Sequence, residues 1–132
     1  MDYLIPNIPV YLILIFTIIT FLQSGLDKIF NWSGNYEWLT GHFKGTFMGG
    51  MISLLLGIIL VLEVITGLLA FAAIITLYIN NDPELALWSL VLAAITLLML
   101  LFGQRVANDY AGAFTIVGYF IVIIFGIFLV TA

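Results

Sequence analysis

One carboxylate stands midway along a long apolar run: Glu63, within Ile59-Leu60-Val61-Leu62-Glu63-Val64-Ile65. A charged carboxylate at the centre of a bilayer costs at least about 2.5 kcal/mol, so such a residue faces the interior of a helix bundle. Two chemistries fit it. It handles protons or binds a ligand, or it stands protonated and donates a hydrogen bond to a neighbouring helix. Thr17, Thr20 and Thr96 lie at matching depths in other apolar stretches. The expectation is a largely neutral Glu63 that donates to a threonine or a backbone carbonyl. The cations are few, Lys28, Lys44 and Arg105, and each falls near the end of an apolar run. At 1.5 Å per residue, Glu63 lies about 20 Å from the Met48 end of its helix. A Lys28–Glu63 pair therefore requires Lys28 to sit inside the bundle, with the linker after it dipping in.

Other polar groups form smaller constellations. Gln23, Ser24, Asp27 and Lys28 share one helix face, three and four residues apart. That stripe is either a helix end, with Lys28 complementing the helix dipole, or a catalytic face. The segment from Asn31 to Leu39 carries Trp32, Tyr36 and Trp38, amphipathic rings that favour the membrane–water boundary. It reads as an interfacial segment, and His42 just beyond it either titrates there or is structural. Arg105 and Asp109 are four apart and can pair if that stretch is helical; the loop is solvated or docks a partner or lipid headgroup. Gly41, Gly45, Gly49, Ser53 and Gly57 recur every four residues. Such small-residue spacing lets helix backbones approach closely in lipid, within the bundle or against a partner.

The elements that must position these groups follow from composition. Of 132 residues, 64% are hydrophobic and 8% charged. A soluble chain carries roughly 45–50% apolar and about 25% charged residues, so this excess of apolar surface cannot be hidden in one small globule. A soluble enzyme and a nucleic-acid binder are excluded, leaving an all-α integral membrane protein in the lipid bilayer. A spanning helix needs about 20 apolar residues. Four stretches qualify: residues 10–26, 48–78, 85–102 and 114–130. They predict one transmembrane domain, a four-helix bundle with the interfacial segment between its first two helices. The second stretch is too long for one upright helix and should tilt or project beyond the bilayer. The start of the chain lacks a positive first region and a cleavage site, so the first stretch is expected to be retained as a span.

All three basic residues fall in the linkers on one side, and Asn80-Asn81-Asp82-Pro83-Glu84 on the other carries acids alone. The positive-inside rule places the basic loops in the cytoplasm and both termini outside, in the periplasm of a bacterium. The chain has no cysteine and one histidine. A metal site, an iron–sulfur cluster or bis-histidine haem is therefore not expected from this chain alone.

Ser24-Gly25-Leu26-Asp27-Lys28-Ile29-Phe30 and Leu62-Glu63-Val64-Ile65-Thr66-Gly67-Leu68-Leu69 resemble two elements of the DoxX family of small four-helix bacterial membrane proteins. The first is similar to the family's Gly-x-x-Lys-Ile/Leu-Phe element, the second to its Glu-hydrophobic-x-Gly-hydrophobic stretch. The resemblance implies an inner-membrane accessory subunit of an oxidoreductase or respiratory complex that takes part in electron transport. Lys28 and Glu63 are the residues it singles out. Thiol chemistry does not carry over, because this chain has no cysteine. The expected role is to pack helices, lipid or quinone beside other membrane subunits, with no cofactor or activity of its own. The alternative is a proton-coupled transporter or channel-like homo-oligomer centred on Glu63. A stand-alone quinone-reactive enzyme is a third reading.

Overall fold

The computed structural model describes residues 4–47 and 49–132; Met1, Asp2, Tyr3 and Met48, where the second span was placed to begin, lie outside the described residues. Proline tolerates a helix's first turn, where its missing N–H would have no partner. Pro6 and Pro9 accordingly open the first helix, α1 (Ile5–Phe30), through a short 3-10 turn that passes into regular helix at Ile8. Midway, Ile18–Leu22 forms a π turn. The extra residue in that turn rotates the face carried by residues 23–28 relative to the face of residues 10–17. Asn31, at φ −132° and ψ 48°, ends α1 and begins α2 (Trp32–His42). The segment expected at the interface is thus a separate helix.

The second apolar stretch is one continuous helix, α3 (Ile52–Asn80). Its 29 residues make it about 43 Å long, well beyond ~30 Å of hydrocarbon. Asn81, with φ 51°, caps it in the left-handed region, and Pro83 turns the chain into α4 (Glu84–Val106). Asp109 caps the last helix, α5 (Tyr110–Thr131), accepting from Gly112 N. The four long helices are each apolar enough to cross a membrane; α1, α4 and α5 extend past both bounds read from hydropathy, whereas α3 starts inside its expected start and runs two residues beyond its expected end. There is no strand among the described residues.

The long helices pack in chain order, and α1 closes the ring against α3 and α5. Leu14, Phe21, Leu77, Leu90, Leu97 and Ile123 fill the centre, fully or almost fully buried. Large apolar side chains such as Leu54, Phe71, Leu98 and Phe125 point outward. In water this face would drive aggregation; in a bilayer it meets lipid, and the helices are held by close packing and interhelical hydrogen bonds. One such bond runs from Ser89 Oγ to the Thr66 carbonyl at 3.2 Å, both residues buried. Asn7 Nδ2 donates to Asn81 Oδ1 at 2.9 Å, placing the start of α1 and the α3–α4 turn at one end of the bundle. α2 and the α4–α5 turn lie together at the other end, where His42 meets Asp109.

Candidate functional site

Along α1 the buried positions run Leu14, Thr17, Phe21 and Gly25. Lys28 is the next step of that stripe, so its side chain turns inward. Along α3 the stripe of Leu56, Glu63, Gly67 and Ala70 does the same for Glu63. The two meet: Lys28 Nζ lies 2.7 Å from Glu63 Oε1, with side-chain exposures of 14% and 4%. Lys28 Nζ also donates to Ser24 Oγ at 2.7 Å, one turn back on the same face.

The expected threonine partner for Glu63 is corrected here: the group beside its carboxyl is Lys28. Thr17 Oγ1 donates to the Ile13 carbonyl and Thr96 Oγ1 to the Leu92 carbonyl, both at 2.8 Å and both within their own helices. Lys28 reaches Glu63 because the distance from the end of α3 is the wrong measure. α3 projects past the level where α1 ends, and Gly25 of α1 stands level with Glu63. A Cβ on Gly25 would lie 3.0 Å from Val64 Cγ2 and 3.8 Å from Glu63 Cβ. A Cβ on Gly67 would overlap the Leu22 side chain. Two glycines thus bring α1 against α3, one level with Glu63 and one a turn further from Lys28.

The pair separates two cavities. One, of about 220 Å³, lies beneath α2. Lys28, Trp38 and His42 line it above a floor that includes Ile52, Leu56 and Leu100. The other is a cleft of about 540 Å³ between α1 and α5. Glu63 lines that cleft with Thr20, Gln23, Ser24, Asp27 and Tyr119. Four polar residues singled out in the sequence, Thr20, Gln23, Ser24 and Asp27, therefore share one space with the carboxylate. Asp27 Oδ2 accepts from Asn35 Nδ2 at 3.2 Å, tying α1 to α2.

The far end of α2 is held differently from expectation. Arg105 and Asp109 do not pair, because α4 stops at Val106 and Asn108 takes a left-handed turn, φ 59°. Arg105 lies over the Tyr110 ring, 4.9 Å from its centroid. Asp109 instead does two things: Oδ1 accepts from Gly112 N at 3.0 Å, and Oδ2 stands 3.4 Å from His42 Nε2. His42 stacks on Trp38 at 4.5 Å between ring centroids, and the adjacent Phe43 is buried against Ile52. These contacts dock α2 over the cavity. We expect Asp109→Ala to cost about 1 kcal/mol through the lost cap and to speed amide exchange across residues 32–42. His42→Ala should speed that exchange without touching the cap. Unchanged exchange in both variants would show that α2 is held by other contacts.

The small-residue series does not form a packing seam within the bundle. Gly41 ends α2, Gly45 sits in a turn with φ 84°, and Gly49 precedes α3, so the spacing crosses three elements. Ser53 is exposed, and a Cβ on Gly41, Gly45 or Gly57 would meet nothing among the described residues within 4 Å.

Asn35 and the role of Trp38 as a partner for His42 were not singled out from the sequence, and Gly25 and Gly67 entered only as letters of the two motifs, without a packing role. The glycines had a readable signal: Gly25 is three residues before Lys28 and Gly67 four after Glu63, each on the face of its charged neighbour. No family model, curated protein or solved structure matches the chain.

Proposed function

We propose that this multi-pass membrane protein is a DoxX-like accessory subunit of a membrane-bound redox or respiratory complex. In this reading it sits in a bacterial inner membrane with both termini in the periplasm. It packs helices, lipid or quinone beside a catalytic subunit and brings no cofactor of its own. The observation that carries the reading is the buried Lys28–Glu63 pair set against an amphipathic cavity, with apolar side chains around the bundle's outer face. An ion pair kept inside an apolar bundle is costly to desolvate, and residues of this kind within membranes mark functional sites. The α2–α4 cavity offers a charged group at its inner wall and an apolar floor, as a lipid-soluble molecule requires. The topology has the support of Lys44, Arg105 and the α2 linker, which gather at one end.

A second reading has one observation in its favour. Glu63 lines the cleft while Lys28 lines the cavity, so the pair divides two spaces as a gate would. That arrangement suits a proton-coupled transporter acting as a homo-oligomer. Purification from the native membrane in mild detergent, with mass spectrometry and a visible spectrum, separates the two. The proposal expects stoichiometric haem- or quinone-enzyme subunits. A colourless homo-oligomer that gives Glu63-dependent proton flux in liposomes would overturn it.

A further inference from the structure

The Lys28 ammonium carries three N–H donors. One is donated to Ser24 Oγ, and the ammonium stands 2.7 Å from Glu63 Oε1 as an ion pair. Lys28 also lines the cavity beneath α2, so an ammonium with donor capacity to spare stands at its wall. That cavity, about 220 Å³, equals roughly seven waters at ~30 Å³ each. This is too small for a whole long-tailed amphiphile and suited to a polar head whose tail leaves through the opening. The ionisable groups that line it, Lys28 and His42, each face a carboxylate, Glu63 and Asp109. An anionic head would add an uncompensated buried charge. An uncharged acceptor oxygen would complete the ammonium's hydrogen bonds and bury no new charge.

We propose that the cavity beneath α2 binds the uncharged carbonyl head of a membrane-soluble amphiphile. The carbonyl oxygen accepts from Lys28 Nζ, and the apolar body lies on Ile52, Leu56 and Leu100. This deepens the reading of a lipid- or quinone-holding subunit and rests on it for the source of the ligand. Two membrane sources supply such a carbonyl, the ester of a lipid and the ring of a quinone.

The test uses the full chain in nanodiscs of ether-linked phospholipid, which contain no competing ester. Four probes are titrated against tryptophan fluorescence: a decyl-substituted benzoquinone, methyl decanoate, decanoate and decane. At least one carbonyl probe should bind about tenfold more tightly than decane and decanoate, the scale of one hydrogen bond to a charged donor. Whichever of the quinone and the ester binds identifies the source. Lys28→Met combined with Glu63→Gln should erase that preference. Leu55→Phe, which fills the cavity and leaves the pair in place, should abolish saturable binding. Equal binding of all four probes, tighter binding of decanoate, or a preference that survives the double variant would overturn the site. Carbonyl binding with no partner subunit in the native purification would leave the site standing and remove the redox complex. The reverse result would remove the site alone.

Discussion

Lys28→Met should destabilise the folded bundle by about 3–5 kcal/mol, and so should Glu63→Leu, because each leaves an uncompensated charge in a desolvated place. The double variant should recover most of that loss. Replacing both partners removes the desolvation penalty together with the attraction, and buried pairs exchanged for apolar residues are often neutral in stability. Reversible unfolding in mixed micelles, run on the two single variants and the double, measures the coupling directly. Additive losses would mean that the two side chains act independently, against a separation of 2.7 Å. The stability result also bears on function. A pair that the fold tolerates losing as a unit is retained for something other than stability, and the cavity and cleft on its two sides are where that use lies.

The second large effect belongs to the α1–α3 contact. Gly67→Leu places a side chain where Leu22 already stands. Overpacking of a filled contact costs about 1–3 kcal/mol, occasionally more, and the same displacement would pull Lys28 away from Glu63. We expect this variant to lose stability to the upper end of that range and to lose the Lys28–Glu63 coupling as well. Gly57→Leu is the contrast, since a Cβ there meets nothing within 4 Å among the described residues. In the isolated chain it should change stability by no more than about 0.5 kcal/mol, as surface substitutions do. A weakened assembly in the native membrane with Gly57→Leu would place the small-residue series at a partner's helix. A Gly67→Leu protein as stable as wild type would show that α1 moves freely over α3.

Hydropathy made the four spans legible because a bilayer imposes a length and a polarity that few other settings demand. Their ends were less legible. α1 continues to Phe30 because Asp27 and Lys28 stay helical, although both are charged. A window that stops at polar residues stops too soon when those residues find partners and the helix runs on, as Lys28 does with Glu63 and Asp27 with Asn35. Glu63 stood out by type alone. Its partner did not, because depth was reckoned from the end of α3, and no one-dimensional measure shows that α3 overshoots α1. The four-residue glycine spacing was a real pattern on paper, but it crosses a turn and a 3-10 segment, so only Ser53 and Gly57 share one helix face. The glycines that do bring helices together, Gly25 and Gly67, are set by tertiary contact with Val64 and Leu22. Asp109 could have been read as a helix cap from its place before Tyr110-Ala111-Gly112. The Arg105 pairing assumed a helix that Asn108 interrupts.

The central claim is that Glu63 is held as a carboxylate by Lys28 inside the bundle. Infrared difference spectroscopy of the wild type against Glu63→Gln, in lipid at neutral pH, tests it most directly. The account predicts that the lost signal is the pair of carboxylate stretches. Loss of a protonated carboxylic acid C=O stretch instead would contradict it. That result would mean a neutral Glu63 that does not hold the Lys28 ammonium.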